Sequence, residues 1–190
     1  MIGRAKFNVF AVRVDELIEG RPELVAAVRP LLEARNAVEQ QVSELDRKVT
    51  RLARHDAHVR RFMTVPGVGP ITALAFKATI DDPARFARSR SVGAYVGLTS
   101  RRHASGEVDW SGRISKCGDA MLRSYLFEAA GVLLTRVPKW SAVKAWGVRL
   151  AKRNGLRKAK VAVARKLAVI LHRMWIDGTE FNWSKKEIAA

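Results

Sequence analysis

The chain has one cysteine, Cys117, in 190 residues, so no intrachain disulfide can brace the fold, and a reducing compartment suits it. Acidic residues are also scarce: 18 Asp and Glu stand against 35 Lys and Arg. No set of carboxylates of the kind that holds a pair of Mg2+ ions is visible. Of the four histidines, His55 and His58 flank Asp56 at a spacing that could share a helix face, but no third ligand accompanies them, so a solvated helix surface is expected there and no metal site. No window has the length and apolarity of a membrane span, and Met1 to Phe7 lacks the apolar run of a signal peptide. There is no internal repeat and no low-complexity segment. These absences exclude a disulfide scaffold and a membrane span, and the chain reads as cytoplasmic with no membrane partner.

What is present is a hydrophobic share of 48%, which excludes wholesale disorder, and a net charge of +17. Such an excess calls for a polyanionic partner. It is unevenly placed: residues 101–173 hold 17 Lys and Arg against 4 Asp and Glu, a net +13.

Residues 5–19 predict a short amphipathic helix with Phe7, Phe10, Val14 and Leu17 on one side, stopped by Gly20, with Pro22 opening a new short helix. Pro30 can begin the next helix. From there Leu31, Val38, Val42, Leu45, Val49, Leu52 and Val59 recur with heptad spacing, interrupted by Arg35 and Asp56. A helix over 30–63 would reach roughly 50 Å. Its apolar seam fits either pairing in a coiled coil or helical hairpin, or packing on its own domain. Residues 1–29 then read as linker helices, 30–63 as a coiled-coil-like helix, 64–178 as one domain and 179–190 as a loose tail.

Val65-Pro66-Gly67-Val68-Gly69-Pro70 ends that helix and begins another. It is either a plain tight turn or a helix-hairpin-helix element whose backbone at Gly67, Val68 and Gly69 meets a phosphate. Asp81 and Asp82 read as caps, with Pro83 following. Ser91 can cap a short helix and Gly97 can end it. Residues 98–114 show no helical period, Val108 and Trp110 alternate as in a strand, and Ser105-Gly106 is turn chemistry, which predicts an exposed loop or small hairpin. Ser115 or Asp119 caps a helix with Met121, Leu122, Tyr125, Leu126, Ala129, Leu133 and Leu134 on one face. A helix from Ser141 carries Val143, Trp146 and Leu150. A last helix over about 157–176 carries Val161, Ala164, Leu167, Ala168, Leu171 and Trp175, with Arg157, Lys158, Lys160, Arg165 and Lys166 opposite. The fold class is mainly α: a long heptad helix, a helix-hairpin-helix-like element, an irregular loop or small hairpin, and a basic helical bundle. Cys117 reads as a small semi-buried side chain.

Chemistry needs an activated group. Ser105 lies beside Gly106, with Arg101, Arg102 and Arg113 near in sequence, and these cations could hold a phosphodiester and stabilise its transition state. Lys116 and Arg123 extend the basic set, and His103 could serve as a base. By residue pattern alone Ser105 could equally be a turn serine.

The run Val65-Pro66-Gly67-Val68-Gly69, Asp82-Pro83-Ala84-Arg85-Phe86, Gly93-Ala94-Tyr95-Val96-Gly97-Leu98-Thr99, Ser105-Gly106-Glu107 and Gly112-Arg113-Ile114-Ser115-Lys116-Cys117-Gly118-Asp119 resembles the C-terminal domain of transposases of the insertion-sequence 110 family, over roughly 58–180. The resemblance implies DNA transposition by serine-mediated strand exchange, with Ser105 as nucleophile and Ser115 as a weaker candidate. It also implies DNA as partner and a guide RNA in at least some members, while the Val38, Val42, Leu45, Val49 and Leu52 seam predicts a homo-oligomer. Two departures stand out. His103 occupies a position two before the serine that is usually aromatic in the family. Members also begin with a ribonuclease-H-like domain of four metal-binding carboxylates, so that Mg2+ would belong to that domain and no cofactor to this chain, which reads as a truncated element protein. A non-catalytic helix-hairpin-helix module that binds nucleic acid is the alternative, and a pure oligomerisation protein built on the heptad helix is a third reading.

Overall fold

The computed structural model describes residues 7–105 and 108–183. They form eight α-helices, one 3-10 turn and one two-stranded sheet, the mainly α class that the periodicity predicts. The chain divides into two compact units, Met1–Lys48 and Val49–Ala190.

In the first unit, α1 (Phe7–Ile18) ends at Gly20, whose φ of +74° suits a residue without a Cβ. Pro22 then occupies the first turn of α2 (Pro22–His55), where its missing N–H costs nothing. The helices expected separately from Pro22 and from Pro30 are thus one helix, with Pro30 in its interior. Val14, Ile18 and Leu32 are buried, and Phe10, Ala11, Val25 and Val28 pack against them. Leu17, expected on that face, is exposed, because the buried stripe runs through Val14 and Ile18, one position along. Arg35 interrupts the heptad pattern for a local reason: its guanidinium lies 5.2 Å from the centre of the Phe10 ring and pairs with Glu39. Leu31, Val38, Val42 and Leu45 of the seam are exposed, as is Leu52 beyond them.

The second unit, from Val49, contains the end of α2. The helix expected to run on to residue 63 stops at His55, and Asp56 N-caps a new one, α3 (Ala57–Phe62). Asp56 Oδ1 accepts from the N–H groups of His58 (2.9 Å) and Val59 (3.1 Å), and Oδ2 is bonded to the Lys77 ammonium. Burial pushes this carboxyl up, but the Lys77 bond, the Val59 N–H, the Lys77 charge and the His58 N–H outweigh it and leave its pKa lowered. Asp56 is therefore a cap and an ion-pair partner, which is why a polar residue interrupts the apolar spacing. His58 is half-buried with its ring 5.8 Å from that of Trp175, which corrects the expected solvated surface.

Next, α4 (Pro70–Ile80) ends at Asp81, and Asp82 accepts from Ala84 N–H (2.8 Å) to cap the 3-10 turn Pro83–Arg85. After α5 (Arg90–Tyr95), which starts at Ser89 instead of Ser91, strands β1 (Ser100–Ser105) and β2 (Val108–Ile114) pair antiparallel. Three helices complete the unit: α6 (Ala120–Thr135), α7 (Ala142–Asn154) and α8 (Leu156–Asp177). Asp119 caps α6 and Ser141 caps α7.

The core sits between α3, α4, α6 and α8. Phe62, Phe76 and Trp175 meet edge-on or tilted at 5.4–6.3 Å between ring centres. Leu122, Leu126, Leu133, Leu167 and Leu171 are fully buried, each contributing about 2 kcal/mol. Met121, expected on the apolar face of α6, is exposed. Buried His172 has Nδ1 3.0 Å from Ser89 Oγ and Nε2 3.0 Å from Pro83 O, which joins α8 to the start of α5. A carbonyl only accepts, so Nε2 donates.

The tail is packed as far as it is described. Phe181 N–H donates to Thr64 Oγ1 (3.0 Å), and the Phe181 and Trp183 rings meet edge-on at 5.3 Å. The rest of the expected loose tail, 184–190, lies outside the described residues. No helix among the described residues is long and apolar enough to cross a membrane.

Candidate functional site

The irregular segment expected over 98–114 is the β-hairpin, and its register explains its shape. Ser105 pairs with Val108, Ala104 with Asp109, His103 with Trp110 and Arg102 with Ser111, but Ser100 pairs with Ile114. Between the last two pairs β2 has one residue more than β1, so a bulge falls at Gly112–Arg113 opposite Arg101. Ser105 is exposed at the far end of β1. The Ser105-Gly106 turn itself falls on Gly106 and Glu107, outside the described residues, and so does the environment of the His103 side chain.

The near end of the hairpin is fixed to the helices by a dense set of backbone contacts. Ser115 N–H donates to Thr99 O (2.8 Å) and Lys116 N–H to Gly97 O (3.1 Å). Arg101 Nη2 donates to Ser115 O (3.2 Å). Arg123, from the first turns of α6, directs Nη1 at Val96 O and Cys117 O, both 3.1 Å away. Gly97 and Gly118 permit this closeness. Both have positive φ, and a Cβ on Gly97 would lie 2.1 Å from Cys117 O, while one on Gly118 would lie 1.9 Å from Tyr95 O. Lys116 takes the left-handed region as well, with φ of 57°, a cost that the fixed surroundings impose on a non-glycine residue. Cys117 is exposed, which corrects its semi-buried expectation: its backbone, not its thiol, fills the space against Gly97.

The second candidate element, the turn between α3 and α4, meets the same helix. Gly67, with φ of +88°, sits so close to α6 that a Cβ would fall 2.4 Å from Ala129 O and 3.0 Å from Leu133 N. Val68 is buried and its N–H donates to Val65 O (3.0 Å). Gly69 begins α4 and has no atom within 4 Å of its would-be Cβ. The three residues therefore separate: Gly67 is a packing residue, the Val68 side chain is core, and Gly69 alone has open space before it. Arg123 and Ala129 are six residues apart on α6, about 9 Å along its axis, so this helix carries both elements.

Of the sequence-derived candidates, the structure gathers Arg101, Ser115, Lys116 and Arg123 at the hairpin root, with Arg113 exposed beside them. It sets Ser105 apart at the other end. Arg102 is exposed on β1. Arg123 is the candidate whose role changes most, since its guanidinium is engaged with main-chain carbonyls and holds the root. The basic face expected on α8 is present: Arg157, Lys158 and Arg165 are exposed, while Lys160 and Lys166 are half-buried. No group of three or more His, Cys, Asp or Glu that could hold a metal ion occurs among the described residues.

What fold and site define is a basic helical domain that presents a serine on a firmly rooted β-hairpin. Residues 59–146, which span the glycine turn, the hairpin and α6, match the family described as Transposase IS116/IS110/IS902 family. The chain is 34% identical over 134 residues to the transposase for insertion sequence element IS1111A of Coxiella burnetii, covering 70% of this chain and 37% of that protein. It is 31% identical over 170 residues to the transposase for insertion sequence element IS1328 of Yersinia enterocolitica, covering 89% of this chain and 51% of that protein. These matches support the transposase family for this chain, which spans between about two fifths and half the length of these relatives.

Proposed function

We propose that the chain acts in DNA transposition as the serine-bearing part of a recombinase, with Ser105 as the nucleophile that joins covalently to a DNA phosphate. One observation supports this reading: the serine singled out by the family resemblance is exposed at the far end of a hairpin whose root is held by Arg101 and Arg123, with exposed Arg102 on the same strand and exposed Arg113 nearer the root. Exposure makes the hydroxyl reachable, and the cations suit a phosphodiester. The metal-binding carboxylates belong to the ribonuclease-H-like domain that the resemblance implies, and a guide RNA is a further partner in this reading. Trapping protein on a labelled recombination substrate under denaturing conditions is the test.

Binding to nucleic acid is dominated by phosphate contacts, from the basic residues of 101–173 and from the backbone at Gly69, the open end of the glycine turn. With about five phosphates neutralised, log K on duplex DNA falls against log salt with a slope of about −4 to −5. Titrations between low and physiological salt measure it. A salt-independent affinity, or no affinity at low salt, contradicts the reading.

The chain also self-associates through α2. Leu45 is 56% exposed, and Val38, Val42 and Leu52 accompany it at heptad spacing with nothing covering them. Leu45→Asp would bury an unpaired carboxylate in such an interface and is expected to shift the wild-type oligomer to monomer in sedimentation. A wild type that sediments as a monomer throughout the micromolar range would rule this out.

A further inference from the structure

We propose that Trp140 is a stacking site for an unpaired nucleobase, so that this domain takes single-stranded nucleic acid on the connection between α6 and α7. Trp140 is 62% exposed, while its neighbours Ser141 and Val143 are buried. An indole left in water on a short, well-anchored connection is an unusual use of the largest apolar side chain. The ring is held from one side. Lys144, itself buried, places Nζ 5.0 Å from the Trp140 ring centre and donates to Val137 O, one of the carbonyls that follow the end of α6. A cation at that helix end is favourable, which fixes the ammonium and through it the indole. Most of the Trp140 surface is left to solvent.

The surroundings match a strand of phosphates. Arg136 and Lys139 are exposed on the same connection. Lys139 Nζ stands 4.3 Å from the ring centre of Trp183, so a second indole is drawn to this corner under another ammonium. The connection has no carboxylate between Arg136 and Ser141, and α7 begins at Ala142, two residues beyond Trp140, with the positive end of its dipole there. An aromatic face flanked by cations is the arrangement that holds a base between two phosphates without reading its identity. A duplex offers no such base face except at its ends, so the site selects unpaired strands.

The inference rests on the nucleic-acid reading above, and the test separates the two. Anisotropy titrations of the full chain use a 12-nucleotide oligothymidylate, the corresponding oligouridylate, and a blunt DNA duplex of the same length. Trp140→Leu, which keeps bulk but no π-face, is expected to weaken single-strand binding about tenfold or more while duplex affinity stays within about twofold, and Trp140→Phe is expected to retain most of the single-strand affinity. The strand that loses more, RNA or DNA, is the ligand. Equal single-strand affinities for the Leu and Phe variants, or equal losses on single strand and duplex, overturn the stacking site and leave duplex binding standing. A wild type that binds none of the three at low salt overturns both readings.

Discussion

Gly118→Ala is expected to destabilise the second unit by about 4 kcal/mol or more, a loss of roughly 10 °C in Tm. Two costs combine. The residue has φ of +77°, which a Cβ disfavours by about 1 kcal/mol. The added methyl would also lie 1.9 Å from Tyr95 O, and because the obstacle is main chain at the end of α5, no side chain can swing away. Gly97→Ala should behave alike, since its methyl would meet both the N and the O of Cys117. Gly69→Ala is the contrast: with φ of −95° and open space, it should change stability by less than about 0.5 kcal/mol. Thermal melts of the three variants decide the matter. A Gly118→Ala protein melting within about 2 °C of wild type would show that the root of the hairpin yields easily, contrary to the geometry.

Ser105→Ala should leave stability within about 0.5 kcal/mol, because an exposed strand-end hydroxyl has little packing to lose, yet reduce covalent adduct by about a thousandfold or more. A serine hydroxyl is a weak nucleophile at neutral pH and needs a base or a metal-linked environment. In the proposed reading that environment comes from the ribonuclease-H-like domain that the resemblance implies, so residues 1–190 by themselves should bind DNA and form little adduct. Adding the carboxylate-bearing domain that the resemblance implies, fused or in trans, should bring adduct up. Ser115→Ala should keep it, since Ser115 Oγ accepts a long bond from Cys117 N–H at 3.4 Å and the N–H bond to Thr99 O survives the change. Adduct that persists in Ser105→Ala, or that maps by mass spectrometry to another residue, removes Ser105 as the nucleophile.

Much of this fold was legible in the sequence, because its signals are local. Asp119 and Ser141 mark helix starts, the stripe from Leu122 to Leu134 marks a buried face, and Val108 and Trp110 sit in a strand. The mainly α class follows from such signals. Other features depend on what lies across the fold. Pro30 reads as a helix start, but the helix had already begun at Pro22. Asp56 reads as a flaw in a heptad, and only Lys77, 21 residues on, shows it to be a cap held in an ion pair. Of the site, Ser105 and its arginines could be named, whereas the roles of Gly67, Gly97, Gly118 and Arg123 could not. Each of these is decided by a backbone carbonyl brought close from a distant segment, and no spacing along the chain encodes that approach. The exposure of Trp140 is not legible in the sequence for a similar reason: it is a property of the packed molecule.

The anchorage at the root of the hairpin has a mechanical consequence. From Thr99 to Ser105 the strand extends about 20 Å at roughly 3.3 Å per residue. An arm of that length turns a tilt of about 3° at its base into a displacement of about 1 Å at its tip, and a misplacement of that size can cost a reaction about a hundredfold. Angular play at the fulcrum is thus magnified at the hydroxyl. The crowding of Gly97 against Gly118's segment, and the guanidinium clasp beside it, act on a short moment where stiffness counts most. If Ser105 is the nucleophile proposed above, substitutions that touch neither the serine nor any bound strand, but loosen the pivot by a few degrees, would be felt chiefly in the aim of its attack.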